Sequence, residues 1–351
     1  MEKVIIFTRP KTIGFDQSQE RPLEANEVRL QTLYSGISAG TEMTAFRGSN
    51  PYMHKLWDPQ RRLFVQTAAP SLSYPVIGWG YEECGQVVET GNQVTRVKTG
   101  DIVYGTWGHR THHIMDEEDA STCILPQGLE PILGIFSHMV AIALNGVHDA
   151  GIRIGETVAV FGMGVPGQIV AQLAKRSGAR VIGIDLIDAR LEKARELGAI
   201  DIGIHARQGQ VAEQIKDLTE RRGADVCIEA AGHSSALQEA VRSVAYSAKV
   251  VTLGFFQGPA EMLFLGEEFH HNRINIVCSQ ISGVDPQLNY RWDRSRLVQT
   301  GIYLQAEGLL NLKPLITQVY PFDQAAEAFR ICDQEPEKTL QVVLDCTNAS
   351  K

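Results

Sequence analysis

The sequence predicts an α/β protein in which a β-rich, barrel-like unit is joined to a doubly wound parallel sheet. Two patterns support this fold class. Residues 1 to about 130 consist of short alternating runs separated by turns, for example Val28–Leu33 and Lys98–Gly105, which is typical of a β-rich unit. From about residue 134 buried strands alternate with helical segments, which is typical of a parallel sheet covered by helices.

The elements follow in order along the chain. The predicted strands, two of them with an adjoining turn, are Met1–Thr8, Val28–Leu33, Gly85–Gly91, Lys98–Gly105, Thr157–Phe161, Arg180–Ile184, Val226–Ile228, Val250–Leu253 and Leu340–Leu344. The predicted helices are Val165–Ser177, Ala189–Leu197 and Arg294–Glu307. The C-terminal residues resemble the first unit, so we predict that residues 1–133 and 285–351 form one domain, with residues 134–284 inserted as the second.

Composition narrows the function classes. The chain has 351 residues, enough for two domains, and its net charge of -8 provides no basic surface field for nucleic acid. Its six cysteines form no Cys-x-x-Cys pair, so neither a disulfide framework nor a clustered zinc site is indicated. The N-terminus lacks a signal-peptide cleavage site, and no apolar run approaches the roughly 20 residues of a membrane helix. We therefore expect a cytoplasmic protein that binds neither membranes nor nucleic acid.

A glycine-rich turn follows the first strand of the parallel sheet. It reads Gly162-Met163-Gly164-Val165-Pro166-Gly167 and opens a predicted helix. In this context the first glycine permits a tight turn, the second admits a pyrophosphate, and the third lets helix and strand pack closely. The free N–H groups of the helix N-terminus favour an anion there. The flanking strand and helix favour a dinucleotide site over a chance glycine-rich turn.

The next strand ends at Asp185, about 20 residues beyond the turn. A carboxylate at this position accepts hydrogen bonds from the ribose hydroxyls of NAD and repels the 2′-phosphate of NADP. No arginine directly follows Asp185. We therefore predict NAD as the cofactor. An acidic residue that merely faces solvent at the strand end is the alternative.

Several segments resemble the medium-chain dehydrogenase/reductase superfamily over essentially the full chain. They are Ser35–Glu42, Gly80-Tyr81-Glu82, Gly100–Val103, the glycine-rich turn and Arg190–Ala194. The resemblance implies a GroES-like catalytic domain (1–133 and 285–351) split around a Rossmann NAD-binding domain (134–284), in a homodimer or homotetramer. Tyr290–Arg294, Phe269–Asn272 and Gly40–Glu42 with Phe46-Arg47 are similar to glycoside dehydrogenases that oxidise a sugar ring hydroxyl.

The sequence departs from the zinc-dependent members at their ligand positions. Where those members carry zinc ligands, this chain has Ala39, Tyr81 and, in the best alignment, His138. A catalytic zinc needs three protein ligands of the His, Cys or carboxylate type, and alanine cannot ligate a metal. The four-cysteine structural zinc lobe is also absent after Val103. The resemblance is therefore to a zinc-free branch, although a residual metal site built from histidines is an alternative.

Without zinc a side chain must take the proton of the alcohol, and its pKa should lie near neutrality. The candidates for this chemistry are Thr41, Tyr81, His112, His113 and His138. Thr41 matches a family hydroxyl that touches the substrate and can relay a proton. The segment that carries His112 and His113 runs close to the active-site cleft in the family. Any single histidine can instead be structural, and Tyr81 can simply fill the space of the metal.

Further residues are candidates for binding. A long connection over residues 43–75 is rich in aromatic residues and arginines, which suits a sugar-binding loop, with packing against a neighbouring subunit as the alternative. The substrate candidates are Arg47, Trp57, Glu82, His109, Tyr290 and Trp292. Beyond the turn and Asp185, the cofactor candidates are Arg190, Ala231, Gly254, Phe255 and Ser279, most of them at strand ends, where open α/β sheets bind ligands.

Three functions are consistent with these features. The first is an NAD-dependent dehydrogenase acting on a secondary alcohol of a sugar, glycoside or cyclitol. The second is a zinc-free reductase of quinones or enoyl substrates; such enzymes usually favour NADPH, which Asp185 disfavours. The third is a nucleotide-binding protein without catalysis, since a fold does not by itself prove a function. The intact glycines and the candidate bases favour the first.

Overall fold

A computed structural model of the chain describes residues 2–349. They divide into two compact units: the residues up to His138 together with those from Ile316 onward, and Met139–Leu315. Met1, where the first predicted strand begins, and the last two residues of the final predicted segment lie outside the described residues.

The regular elements are numbered in chain order. The strands are β1 (Glu2–Arg9), β2 (Thr12–Ser18), β3 (Glu27–Ile37), β4 (Leu56–Asp58), β5 (Leu63–Val65), β6 (Val76–Ile77), β7 (Glu83–Thr90), β8 (Ile102–Gly105), β9 (His112–Asp116), β10 (Thr157–Phe161), β11 (Arg180–Asp185), β12 (Ile202–His205), β13 (Ala224–Glu229), β14 (Val244–Thr252), β15 (Asn275–Cys278), β16 (Ile316–Pro321) and β17 (Gln341–Asp345). The α-helices are α1 (Thr41–Arg47), α2 (Glu117–Thr122), α3 (Ser137–Ala150), α4 (Val165–Arg176), α5 (Asp188–Glu196), α6 (Val211–Leu218), α7 (Ser234–Ser243), α8 (Arg294–Ala306) and α9 (Ala325–Gln334). Short 3-10 or π turns occupy Pro51–Met53, Pro131–Phe136, Ala206–Gln208, Leu265–Phe269, Lys313–Leu315 and Phe322–Gln324.

The first unit is β-rich, as predicted. Its main sheet has the order β16-β17-β3-β7-β8, with β9 also paired to β3, and β1 lies between β2 and β6 in a second sheet. The C-terminal strand β17 runs antiparallel to β3, with Val342 opposite Ile37. The rings of Phe7, Phe46 and Phe329 pack together in the core, with centroids 5.2–5.8 Å apart. The end of the chain therefore completes the sheet that its beginning starts.

The second unit is a doubly wound parallel sheet, as predicted. Its strand order is β12-β11-β10-β13-β14-β15. All five residues of β10 are buried, as expected for a central strand covered by helices on both faces. The connections reverse direction between β10 and β13, and ligands bind at the carboxyl ends of the strands at such a switch point.

The predicted domain boundary before residue 285 differs from the division in the structure. Residues 285–315, with α8, belong to the second unit. The side chain of Gln172 on α4 exchanges two hydrogen bonds with the backbone of Asn311, at 2.9 and 3.2 Å. Trp292 packs edge-on against His148, with ring centroids 4.4 Å apart. These tertiary contacts attach the segment to the parallel-sheet unit, and sequence rhythm carries no signal of them.

One helical stretch also differs from expectation. By length and composition alone, Pro131–Ala150 is long and apolar enough to cross a membrane, with a mean hydropathy of 1.4. However, 72% of it is buried inside the protein. It is therefore packed like the core helix of a globular fold.

Candidate active site

The glycine-rich turn joins β10 to α4. Gly162 has φ of 94°, in the left-handed region that favours glycine, and a Cβ there would lie 2.8 Å from the N atom of Ala231. A Cβ on Gly167 would overlap the carbonyl oxygen of Gly162. By contrast, a Cβ on Gly164 would have no neighbour nearer than 3.9 Å. The first and third glycines are therefore required by close packing, and the second leaves open space at the helix N-terminus.

The remaining residues of the turn support this arrangement. Met163 is buried, while Val165 and Pro166 form the start of α4. Proline is tolerated there because the first N–H groups of a helix have no partner within the helix. The residues at this end of the sheet therefore fit the pyrophosphate of a dinucleotide.

Asp185 ends β11 beside this turn. One carboxylate oxygen accepts the N–H of Met163 at 2.6 Å, and the other accepts the N–H of Ile187 at 2.9 Å. Arg190 on α5 brings a guanidinium nitrogen to 4.0 Å from the same carboxylate. No arginine directly follows Asp185 in the sequence, but the first turn of α5 places Arg190 beside it. Asp185 therefore braces the glycine-rich turn and has a cationic neighbour that the sequence pattern did not indicate.

The other cofactor candidates lie at the ends of consecutive strands. Ala231 follows β13 and is exposed, and Gly254 and the exposed Phe255 follow β14. Ser279 follows β15, is buried, and donates its N–H to Thr252 at 2.9 Å. The structure therefore brings these residues to the same edge of the sheet as the glycine-rich turn.

The buried carboxyl of Glu229 stands among them, at the end of β13. Sequence reasoning named its segment but gave this side chain no role. One of its oxygens accepts the N–H groups of Ala231 at 2.9 Å and Gly232 at 2.8 Å. Burial raises the pKa of Glu229 to about 7, against the opposing effect of these N–H donors. The only signal for Glu229 in the sequence was an acidic residue directly after a predicted strand.

Tyr81 lies at the centre of the candidate catalytic residues in the first unit. Its hydroxyl is hydrogen-bonded to that of Ser38, and Thr41 also hydrogen-bonds to it. Its ring packs edge-on against His138, with centroids 5.2 Å apart. The structure therefore brings together Thr41, Tyr81 and His138, which are far apart in the sequence, and adds Ser38, which sequence reasoning did not single out.

The ionisation of Tyr81 is strongly disfavoured. Burial raises the pKa of its hydroxyl, and Coulombic interactions with Glu82 and Glu42 raise it further, outweighing the hydrogen bonds with Ser38 and Thr41. The phenol is therefore protonated at neutral pH. It can donate a hydrogen bond to an oxygen atom, and in its resting form it is a poor base.

His109, which was predicted to bind substrate, lies in a buried hydrogen-bond network. It is fully buried. Its Nε2 lies 2.6 Å from Glu42, and its Nδ1 lies 2.7 Å from the hydroxyl of Ser35. Ser35 in turn donates to Glu83 at 3.2 Å. Burial lowers the pKa of His109, but Glu42 and Glu83 outweigh this effect and raise it overall.

This network joins the two segments that carry Thr41 and Tyr81. Glu42 accepts the N–H of Ser38 at 3.0 Å, and Glu83 accepts the N–H of Trp107 at 2.8 Å. Burial raises the pKa of Glu83 to about 7, although His109 lowers it. His109 and Glu42 are separated by 67 residues, and no sequence spacing predicts their contact. The network is therefore a structural support for the site.

His112 and His113 are not brought together with Tyr81. They lie on β9, opposite Gln31 and Leu30 of β3, whereas the site lies beyond Ser35, roughly 15 Å further along that strand. His113 stacks on Trp107, with centroids 5.3 Å apart, and burial lowers its pKa to about 4. The antiparallel pairing therefore removes both histidines from the candidate base position.

The predicted substrate residues are dispersed. Arg47 is ion-paired with Asp333 at 2.6 Å, and Trp57 packs on Phe64 within the β4–β5 hairpin, with centroids 4.9 Å apart. Glu82 is buried and accepts a hydrogen bond from Gln341 at 2.9 Å. Burial and the neighbouring Glu42 raise its pKa well above the ordinary value.

Two further substrate candidates lie in the second unit. Tyr290 is 76% exposed, and Trp292 packs against His148 with Arg296 4.3 Å above its ring. The long connection over residues 43–75 is not one irregular loop, because it includes most of α1, a 3-10 turn and the β4–β5 hairpin. In the first unit, the described contacts of Arg47 and Trp57 are with residues outside the Tyr81 group.

The residues at the zinc-ligand positions of the family do not fit a catalytic zinc. Ala39 carries only a methyl group, and the Tyr81 oxygen is hydrogen-bonded to Ser38. His138 alone is an ordinary zinc ligand, and a catalytic site needs three. Within residues 2–349, no group of three or more His, Cys, Asp or Glu side chains could hold a metal ion.

The chain combines a parallel sheet that carries this glycine-rich turn with a β-rich unit that contains candidate acid–base residues. This combination defines a nicotinamide-dependent dehydrogenase. Residues 25–152 match the alcohol dehydrogenase GroES-like domain, and residues 166–295 match the zinc-binding dehydrogenase domain. The chain belongs to the medium-chain dehydrogenase/reductase superfamily, in the family of zinc-type alcohol dehydrogenases.

The individual relatives include enzymes of sugars and polyols. D-guloside 3-dehydrogenase of Escherichia coli (strain K12) is 32% identical over 348 residues, covering 97% of this chain and 99% of that protein. (R,R)-butanediol dehydrogenase of Bacillus subtilis is 26% identical, covering 90% and 92%. A zinc-binding dehydrogenase of Sinorhizobium meliloti bound to NADP has a similar fold, with a TM-score of 0.78 at 21% identity, covering 98% and 99%.

Proposed function

We propose that the protein is an NAD-dependent, zinc-independent dehydrogenase that oxidises a secondary alcohol of a sugar, glycoside or cyclitol. The observation that carries this proposal is the group formed by Tyr81, Ser38 and His138, in which Tyr81 and His138 stand where zinc-dependent relatives bind their metal. The substrate class is supported by the 32% identity to a glycoside dehydrogenase over nearly the full chain. Cytoplasmic location and homo-oligomeric assembly stay predictions of the sequence.

The nicotinamide supplies the hydride acceptor when it is bound, so the chain must bind the alcohol and handle its proton. Tyr81 is protonated at neutral pH. We therefore assign it to donate a hydrogen bond to the substrate oxygen, which stabilises the negative charge that develops there. His138 is the proposed base, and the hydroxyl of Thr41 relays the proton. In the direction of carbonyl reduction, the protonated His138 returns the proton through Thr41, and Tyr81 keeps its hydrogen bond to the oxygen.

The test is a screen of polyols and glycosides that follows NADH formation, on protein whose metal content has been measured. We expect turnover with NAD and at least one cyclic polyol or glycoside, without stoichiometric zinc and without loss of activity on chelation. Stoichiometric zinc that is needed for turnover would overturn the zinc-free assignment. Reduction of quinones or enoyl compounds with NADPH, and no alcohol oxidation, would overturn the substrate class.

The preference for NAD has its own prediction. Asp185 accepts ribose hydroxyls and repels a 2′-phosphate, while Arg190, 4.0 Å away, attracts one. We expect the wild type to favour NAD in kcat/KM by about tenfold or more, and Asp185→Asn to reduce that ratio by at least about tenfold. Arg190→Gln is the matched control and should leave NAD use unchanged while weakening NADP further. An unchanged ratio in Asp185→Asn would exclude the carboxylate as the determinant.

A further inference from the structure

At the carboxyl edge of the parallel sheet, the turns that follow β10, β13 and β14 touch through their backbones. A Cβ on Gly162 would lie 2.8 Å from the N atom of Ala231, and a Cβ on Gly254 would overlap the N atom of Gly232. A Cβ on Gly232 would in turn lie 2.7 Å from the carbonyl oxygen of Phe255. The position of each turn is therefore fixed by the position of its neighbours.

The side chain of Glu229 holds the middle turn in shape. Its Oε1 accepts the N–H groups of Ala231, Gly232 and His233, at 2.9, 2.8 and 3.4 Å. Its backbone carbonyl accepts the N–H groups of Leu253 and Gly254, at 2.8 and 3.0 Å. The residue is fully buried. A single residue therefore anchors the turns after both β13 and β14.

The second carboxyl oxygen explains why the group can be neutral. Oε2 of Glu229 is buried and has no hydrogen-bond partner. It would lie 2.8 Å from a Cβ on Gly254, so it faces backbone rather than open space. A proton on Oε2 leaves Oε1 available to accept the three N–H groups. The anchoring role therefore needs the acceptor oxygen more than the charge.

We infer that Glu229 is a positioning residue for the dinucleotide, because its Oε1 fixes the turn of Ala231–His233 against Gly162 and Gly254. Without this acceptor three N–H groups lose their partner, and the turn can relax toward the space that the cofactor needs. The inference rests on the proposed use of a nicotinamide cofactor by the protein. It does not depend on the preference for NAD or on the identity of the substrate. Glu229 acts through the backbone of the turn, so it is distinct from Asp185, which was predicted to contact the ribose.

The test compares two replacements of nearly equal size. Glu229→Gln keeps an acceptor oxygen and loses the charge, whereas Glu229→Met fills the volume and loses the acceptor. We expect the Kd for NADH, from fluorescence titration of the full-length protein, to stay within about threefold of wild type in Glu229→Gln. In Glu229→Met it should rise by about tenfold or more, since the anchoring hydrogen bonds are lost. NADPH is titrated in parallel.

Asp225 supplies a matched control at the other end of the same strand. It accepts the N–H of Thr157 at 2.8 Å, at the amino edge of the sheet, where no ligand is expected. Asp225→Leu should lower the thermal unfolding temperature and leave the Kd for NADH unchanged. The positioning role is wrong if Glu229→Met lowers only the unfolding temperature, as is expected of Asp225→Leu. It is also wrong if Glu229→Gln and Glu229→Met raise the Kd equally. Failure of the wild type to bind either dinucleotide would instead contradict the proposed function.

Discussion

Replacement of Gly167 by alanine is expected to abolish dinucleotide binding. The new Cβ would overlap the carbonyl oxygen of Gly162. Because this oxygen belongs to the backbone, no flexible side chain can move away to relieve the overlap. Because α4 must then move away from β10, the helix N-terminus is displaced from the pyrophosphate position. We expect the free energy of unfolding to fall by about 3 kcal/mol or more, at the upper end of overpacking penalties. Thermal unfolding and NADH titration measure the two effects.

The control for this prediction is another glycine-to-alanine change in the same unit. A Cβ on Gly258 would meet no atom within 4 Å, and its φ is not in the left-handed region. Gly258→Ala should therefore leave both the unfolding temperature and the Kd for NADH unchanged. Normal NADH binding by Gly167→Ala would show that the close approach of helix and strand is not needed for the site.

Replacement of Tyr81 by phenylalanine is expected to lower kcat by about 100-fold to 1,000-fold, the usual range for loss of one hydrogen-bond donor to a developing negative charge. The ring contact with His138 is kept, and only the hydroxyl that is hydrogen-bonded to Ser38 is lost. The Kd for NADH should not change, because Asp185 and the glycine-rich turn are untouched. Steady-state kinetics with the substrate found in the screen and an NADH titration separate these effects.

Tyr104 provides the matched control. It is a buried tyrosine in the same unit, and burial raises its pKa as it does that of Tyr81, but it lies on β8. Tyr104→Phe should keep kcat within about threefold. Since the pKa of Tyr81 is raised above its ordinary value, its ionisation should not produce a limb in the pH–rate profile near neutrality. Full activity of Tyr81→Phe would exclude the hydroxyl from the reaction.

The cofactor half of the site could largely be predicted from sequence, because its determinants are local. The glycines, the strand before them and the helix after them lie within one continuous segment, and close packing explains the first and third glycines. Asp185 was found by its spacing. Arg190 was found only as part of a family segment, and its approach to Asp185 depends on where α5 begins.

The catalytic half shows where sequence reasoning fails. Three histidines, a tyrosine and a threonine were catalytic candidates in the sequence, since residue type alone does not tell a buried support from a reactive group. The register of β9 against β3 moved His112 and His113 away from Tyr81. The contacts of His109 with Glu42 and Ser35 made it a buried support. Strand pairing and burial therefore separate these three histidines from the candidates that lie beside Tyr81.

The sequence by itself determined the fold class and the dinucleotide turn, because short-range spacing and residue identity specify them. Only the tertiary structure decided that residues 285–315 pack on the parallel-sheet unit, that Tyr81 and His138 are neighbours, and that Glu229 anchors two turns. Each of these depends on contacts between residues distant in the chain. Such contacts are set by how the elements pack, and no local pattern of residues encodes them.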